Sequence, residues 1–318
     1  MNRPPLPWSP VAAVVVALAL GCGTPEAQPP GSSSADDDRP AEGNFHGRIY
    51  ERSFVFTTLT GDSAFVVPWL MSARTRPGGV DRSARGWLAR GDTWEPFYDE
   101  GWETPPSRAP WRILPHRNLR LVVGEADAVV GILFAEGPRE LELELSSLRG
   151  EWTGGRGQVF RLLDAALYLS DQRIGGVALD ISRAFGPDES PHRDWAFLTS
   201  GDSLQMILEG TAAPDADTAV FDVWGQLESR DLTWPELTLQ QAEVRAFQPA
   251  RQDVPVSWKV TTADGAPVGD LQVSAAQIRA GDGSGPVLPV DALFLVSGTL
   301  TINGREYPVR GLFRHTRP

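Results

Sequence analysis

Residues 176–208, GVALDISRAFGPDESPHRDWAFLTSGDSLQMIL, decide the fold of this chain. The stretch begins with an apolar run, crosses a polar segment that contains Gly186 and Pro187, and becomes apolar again from Trp195 onward. Short apolar runs bounded by Gly, Pro, Asp and Ser are typical of β-strands and the loops between them. We therefore predict that this stretch is the junction between two β-rich halves.

The second part of the stretch predicts a β-hairpin. A two-residue loop at Gly201 and Asp202 places glycine first, as a type II′ turn prefers. The pairs that follow from this loop are Trp195 with Leu208, Phe197 with Met206, and Thr199 with Leu204. One face of the hairpin is then apolar in both strands, which makes the register self-consistent.

The chain from residue 46 onward alternates with period two and is broken by frequent turn residues. Asn303-Gly304 is the strongest hairpin signal, and it predicts a last strand that ends near Phe313. Residues 74–110, rich in Arg, Gly, Pro and Trp, predict short strands and long loops. No stretch keeps a helical period over three turns, so we predict an all-β fold. Two packed barrels or sandwiches of similar size would hide the strand edges.

The beginning of the chain is typical of a bacterial lipoprotein signal. Arg3 precedes an apolar run at 11–20, which has the length of a signal-peptide core. A permanent membrane span needs about 20 apolar residues, so this run is too short to be one. The run ends in Ala19-Leu20-Gly21-Cys22, which resembles the lipobox, and Cys22 is the only cysteine of the chain. The alternative is an ordinary secretory signal with an incidental cysteine.

We expect a lipoprotein signal peptide over residues 1–21 and a flexible tether over 22–45, because the latter are Pro, Gly, Ser and Asp without large apolar residues. Acyl chains on Cys22 would then anchor the chain to the membrane. Gly23, in place of an aspartate, favours the outer membrane, with the protein facing the periplasm.

The charge balance excludes nucleic acid as a partner. The chain has 29 Lys and Arg against 41 Asp and Glu, a net charge of −12, and so lacks a basic footprint. We predict neither a metal nor a cofactor, since no histidine or cysteine spacing suits a metal and no phosphate-binding loop or Gly-x-Ser-x-Gly elbow is present. The four histidines are scattered at His46, His116, His192 and His315.

Four motifs of the second half carry a family resemblance. They are Asp194-Trp195-Ala196-Phe197-Leu198, Gly201-Asp202-Ser203-Leu204-Gln205-Met206, Val254-Pro255-Val256-Ser257-Trp258-Lys259-Val260 and Val309-Arg310-Gly311-Leu312-Phe313. In this order they resemble the carotenoid 1,2-hydratase / AttH group of tandem lipocalin-like proteins. The resemblance implies two lipocalin-like antiparallel β-barrels, over residues 46–182 and 183–318, with interiors suited to a lipid- or isoprenoid-like ligand. It also implies an ABC transporter permease as a partner, because some members of the group are lipoproteins associated with such permeases.

A hydratase of this group needs a carboxylic acid that protonates an alkene inside an apolar, aromatic-lined pocket. Asp180 and Asp194 are the candidate acids; the alternatives are a strand-end cap and a solvated rim position. The candidate ligand-binding walls are Trp195, Phe197, Trp224 and Trp258, whose alternative is an ordinary core. Of the family's acidic signature only Asp180 is kept. Strand alternation puts both acids opposite their apolar neighbours, so both point outward if the apolar faces line the barrels.

Three functions remain open. The first, which the sequence favours, is an anchored lipoprotein that binds an apolar lipid- or isoprenoid-like molecule. The second is a hydratase or isomerase of a lipid-like substrate, related to carotenoid 1,2-hydratase. The third is a non-catalytic assembly lipoprotein with solid barrels. A cavity separates the third from the others, and a carboxyl group inside that cavity separates the second from the first.

Overall fold

The computed structural model describes residues 47–59, 65–125, 128–212, 217–262 and 267–318. The predicted signal peptide, the lipidation site Cys22 and the tether lie outside these residues and stay predictions. Among the described residues, no helix has the length and apolar character needed to cross a membrane.

The first half forms one antiparallel sheet of nine strands. Its strands are β1 (Ile49–Thr58), β2 (Phe65–Arg76), β3 (Gly79–Arg90), β4 (Thr93–Thr104), β5 (Leu119–Val123), β6 (Val129–Glu136), β7 (Arg139–Thr153), β8 (Val159–Leu169) and β9 (Gln172–Phe185). They are hydrogen-bonded in the order β4-β3-β2-β1-β9-β8-β7-β6-β5. The short strands predicted over residues 74–110 are wrong, because β3 and β4 are continuous strands of 12 residues each.

The nine-stranded sheet curls until side chains from its two ends meet. The Phe97 ring of β4 lies 5.3 Å from the Phe134 ring of β6, between ring centroids. The Tyr98 hydroxyl donates a hydrogen bond of 2.8 Å to the carbonyl oxygen of His116, just before β5. No backbone ladder joins β4 to β5 in the described part of the chain. Side chains alone therefore close this unit.

The second half forms a closed antiparallel barrel. Its strands are β10 (Asp194–Ser200), β11 (Leu204–Ala212), β12 (Thr218–Leu227), β13 (Arg230–Phe247), β14 (Gln252–Thr261), β15 (Val268–Ala280), β16 (Val290–Ile302) and β17 (Arg305–Arg317). A 3-10 turn at Gln248–Ala250 connects β13 to β14, and β10 pairs with β17 to close the barrel. The predicted all-β fold with two tandem lipocalin-like units is confirmed; the first unit is a curled open sheet.

Three apolar cores stabilise the two units. One fills the barrel, one lies inside the curled sheet, and the third lies between the units. Strand β9 shows how one sequence serves two of them: Ala178 faces the inside of the first unit, whereas Leu179 and Ile181 face the second unit. Because both faces are covered, β9 is a nearly continuous apolar run rather than a polar and apolar alternation.

The register predicted for the β10–β11 hairpin is wrong by one residue. Ser200 pairs with Leu204, so the loop has three residues, and Trp195 lies opposite Glu209. Both faces of this hairpin are apolar: Trp195 and Phe197 belong to the core between the units, whereas the alternate residues fill the barrel. A pattern that is apolar on both faces does not specify a register.

The terminal hairpin has the predicted turn. Ile302 pairs with Arg305 across Asn303-Gly304, and both turn residues have positive φ, 52° and 78°, as a type I′ turn requires. The predicted end of the last strand near Phe313 is wrong, since β17 continues to Arg317. The four added residues carry a buried histidine, His315.

Candidate functional site

A cavity of about 280 Å³ opens at one end of the first unit. Its walls come from β1, β2, β3, β4 and β9 and from the connection between β4 and β5. The apolar and aromatic lining is Tyr50, Met71, Trp102, Trp111, Ile113 and Leu114. Its size is close to that of the smaller ligand pockets of proteins, about 300 Å³.

Strand alternation directs β1 side chains into this cavity. Phe54 belongs to the core inside the first unit, so Arg52 and Tyr50, two and four residues earlier, share its inward face. The Trp111 ring, on the β4–β5 connection, lies 5.9 Å from the Tyr50 ring and is half exposed, with 52% of its surface accessible. Trp102 stacks on His116 with ring centroids 4.4 Å apart. Three aromatic side chains, Tyr50, Trp102 and Trp111, thus line the cavity.

Asp180 points into the first unit, beside the cavity. Its two carboxylate oxygens accept hydrogen bonds from Arg52, from Nε at 2.9 Å and Nη2 at 2.7 Å. Asp180 is 4% exposed, and the Arg52 guanidinium also lies 5.0 Å from the centroid of the Phe54 ring. A carboxylate that accepts a guanidinium fork through both oxygens is an ionised acid held in an ion pair.

Arg82 is a buried cation without an acidic partner. Its Nε donates to the Thr104 hydroxyl at 3.1 Å, and its Nη1 donates to the carbonyl oxygens of Pro110 at 3.2 Å and Arg112 at 2.7 Å. Burial lowers the pKa of Arg82 below its ordinary value. Among the described residues, no carboxylate forms an ion pair with it and its Nη2 makes no hydrogen bond to protein. Because Arg82 lines the cavity, this charge is available to a ligand.

Asp194 lies in the other unit and does not line this cavity. It shares the inward face of β10 with Ala196 and Leu198, which belong to the barrel core. Its Oδ2 lies 2.7 Å from His315 Nδ1, and its Oδ1 accepts a hydrogen bond of 2.8 Å from the backbone N–H of Thr316. The structure therefore does not bring Asp180 and Asp194 together.

The predicted outward direction of the two acids is wrong. The alternation of side chains along β9 and β10 was predicted correctly. The faces that carry Leu179, Ile181, Trp195 and Phe197, however, pack against each other between the units. The opposite faces, which carry the acids, therefore line the interiors.

The four predicted ligand-binding aromatic residues also lie in two different cores. Trp195, Phe197 and Trp224 lie in the core between the units, where Trp224 stacks on Phe160 at 4.8 Å. Trp258 lies inside the barrel, 4.7 Å from the Phe313 ring. None of the four lines the cavity.

Sequence reasoning missed Arg52, Arg82 and Trp102. Arg82 and Trp102 pair across β3 and β4, in the segment for which loops were predicted. A strand reading of that segment would have put both on one inward face. Among the described residues, no three His, Cys, Asp or Glu side chains gather as metal ligands.

Comparisons with known proteins support the fold. No family model and no curated protein matches the chain. A putative AttH protein from Nitrosomonas europaea superposes with a TM-score of 0.58 at 11% identity, covering 86% of this chain and 93% of that one. Kievitone hydratase from Nectria haematococca superposes with a TM-score of 0.50 at 14% identity, covering 85% of this chain and 88% of that one. The chain thus has the AttH-like arrangement of two lipocalin-like units, as the resemblance implied.

Proposed function

We propose that this protein binds a small molecule in the cavity of the first unit, and that the molecule combines an apolar ring system with an anionic group. The observation that supports this most directly is Arg82, a buried guanidinium that lines an aromatic cavity without a carboxylate partner. A buried charge is costly unless it is paired. A ligand anion at Nη2 would supply the pairing.

The residues that line the cavity indicate the chemistry of the apolar part of the ligand. Tyr50, Trp102 and Trp111 line the cavity with aromatic rings, which suit ring systems or polyenes better than flexible chains. Arg82 also holds the β4–β5 connection in place through the carbonyl oxygens of Pro110 and Arg112. Arg82 therefore both positions the β4–β5 connection and lines the cavity.

Hydration or isomerisation of a lipid-like substrate is the second candidate. The name of kievitone hydratase, a structural neighbour, and the position of Asp180 beside the cavity favour it. Alkene protonation, however, needs a protonated acid, whereas both Asp180 oxygens accept hydrogen bonds from Arg52. For this reason we place binding before catalysis.

The anchored form of the protein is part of the proposal. The lipobox-like Ala19-Leu20-Gly21-Cys22 supports acylation at Cys22, attachment to the outer membrane on its periplasmic side, and work beside an ABC transporter permease. We expect the wild-type protein to incorporate labelled palmitate and the Cys22→Ala variant to incorporate none. Label in the variant would contradict it.

A pair of fluorescent probes tests the binding proposal. Anilinonaphthalene sulfonate carries the anion, and N-phenyl-1-naphthylamine has the same rings without it. We expect Arg82→Met to weaken sulfonate binding about tenfold, the loss of one charge-assisted hydrogen bond, and to leave the neutral probe within twofold. Arg305→Met, at an exposed arginine of β17, is the matched control. Equal loss of both probes would show that Arg82 only holds the wall.

A further inference from the structure

Asp194 and His315 form a buried pair inside the barrel of the second unit. Asp194 is 4% exposed and His315 is 1% exposed. The carboxylate already accepts the Thr316 N–H and lies 2.7 Å from His315 Nδ1, so Nδ1 carries the proton that joins them. In a neutral ring with this tautomer, the other nitrogen, Nε2, is a hydrogen-bond acceptor.

His315 Nε2 has no partner. It is buried and makes no hydrogen bond to any described residue, although buried polar atoms are nearly always paired. The imidazole is flanked by aromatic rings: the Phe294 ring lies 6.4 Å away at 23°, and the Phe313 ring lies 6.4 Å away at 60°. The apolar interior of the barrel thus contains a polar ring nitrogen without a partner among the described residues.

The barrel wall opens near this pair. Strands β14 and β15 are hydrogen-bonded only where Ser257–Val260 faces Gly269–Gln272. Beyond that ladder the strands separate around an opening of about 320 Å³, lined by Phe247, Val254, Val256, Val273 and Ile278 among others. Val254 belongs to the barrel core and Ile278 packs against that core, so the opening adjoins it.

A row of paired residues connects the opening to the histidine. Ile278 pairs with Ala292, and Ala292 pairs with His315. Two inter-strand spacings place the Ile278 backbone about 10 Å from the His315 backbone, measured across the sheet. Only the methyl group of Ala292 lies between them in this row. Nε2 points away from Asp194, because Nδ1 is the nitrogen that faces the carboxylate.

We propose that the second unit has a binding site of its own, for a small apolar alcohol or phenol that enters between β14 and β15 and donates its hydroxyl hydrogen to His315 Nε2. Asp194 fixes the tautomer that makes Nε2 an acceptor, so the site selects hydrogen-bond donors. This site is separate from the cavity of the first unit and uses no residue of it.

Nitrogen NMR of the full chain with labelled histidine tests the proposal. The probes are 2-naphthol and 2-methylnaphthalene, which have similar size and differ in the hydroxyl group. We expect 2-naphthol to shift the Nε2 resonance of His315 saturably, and 2-methylnaphthalene to leave its hydrogen-bonding state unchanged. His315→Gln identifies the signal, and His192 serves as an internal control.

Two further variants test the proposed route of ligand entry between β14 and β15 and leave the Asp194–His315 pair in place. Ile278→Trp, which fills the opening, should weaken the 2-naphthol response at least tenfold and keep the unliganded His315 signal. Val220→Trp, at an exposed position of β12, should leave the response unchanged. No shift at saturating 2-naphthol would overturn the proposal, as would an equal response in the Ile278 variant. An Nε2 that already shows a hydrogen-bonded partner in the absence of probe would overturn it too.

Discussion

Arg52 and Asp180 form an ion pair whose partners are almost withdrawn from water. The Arg52 side chain is 17% exposed and the Asp180 side chain 5%. Such a pair gains little over apolar residues of the same shape, because desolvation offsets the attraction. Removal of one partner is different, since the other charge then stays buried without compensation.

We expect Asp180→Asn to lower the free energy of unfolding by about 3 kcal/mol, because Arg52 loses its carboxylate. Urea unfolding measures the change. Asp202→Asn removes an exposed partner of Arg149, 70% accessible, and should cost less than about 1 kcal/mol. Similar losses in the two variants would mean that Asp180 is better hydrated than its burial indicates. The Asn variant also tests the second candidate function, since a hydratase would keep binding and lose turnover.

At the scale of single residues, the sequence predicted which side chains share a strand face. It did not predict whether that face points into a unit or away from it. Alternation correctly separated Asp180 from Leu179 and Ile181, but it could not show which face was internal. The apolar face of β9 is covered by the second unit, and nothing in a period-two pattern distinguishes burial inside a barrel from burial between barrels. The unpaired Arg82 could not be found at all, because its partners are carbonyl oxygens of a loop.

The hairpins of the second unit show when an element can be predicted. At Asn303-Gly304 both residues need positive φ, and the flanking strands differ clearly between faces, so turn and register agreed with the prediction. At the β10–β11 loop only Gly201 has a positive φ, 53°, and both strands are apolar on each face. Tertiary packing, rather than local chemistry, sets the register there.

Gly304→Val should lower the free energy of unfolding by about 1 kcal/mol or more, since a β-branched residue resists the φ of 78° found there. Space is no obstacle, because a Cβ at Gly304 would meet no atom within 4 Å. Gly155→Val is the matched control: the position is equally open and lacks a positive φ. A shift in melting temperature that is the same in both variants would argue against turn strain.

At the scale of the whole molecule, a chain of ion pairs crosses from one unit to the other. In spatial order its members are Glu209, Arg183, Glu51, Arg314, Asp291 and Arg85. Three belong to the first unit and three to the second. Together with the apolar core between the units, it makes the two halves a single packed body over the described residues.

Asp291 is the acid of this chain with the clearest pH signature. Burial raises its pKa, but the charges of Arg314 and Arg85 and their hydrogen bonds outweigh this and hold the pKa well below its ordinary value. A lowered pKa stabilises the fold above the unfolded value, about 3.9, and the contribution is lost as the pH falls below it.

Asp291→Asn should therefore cost about 3 kcal/mol at neutral pH, because two arginines at the interface lose their shared carboxylate. The difference from the wild type should shrink as the pH falls below about 4. Urea unfolding at several pH values measures both. Asp253→Asn, at a carboxylate of β14 outside this chain of ion pairs, is the control. A difference that stays constant down to strongly acidic pH would contradict the assignment.

The first unit widens most easily at the side-chain seam between its two edge strands, β4 and β5. Elsewhere in that sheet, widening would break backbone hydrogen bonds. At the seam only side-chain contacts separate: the Phe97 and Phe134 rings lose dispersion contacts, and the Tyr98 hydroxyl loses its hydrogen bond to the His116 carbonyl. The barrel of the second unit is closed by a ladder between β10 and β17, and its strands separate over only part of the β14–β15 boundary. A series of ligands of graded width should therefore meet a gently rising resistance in the first unit.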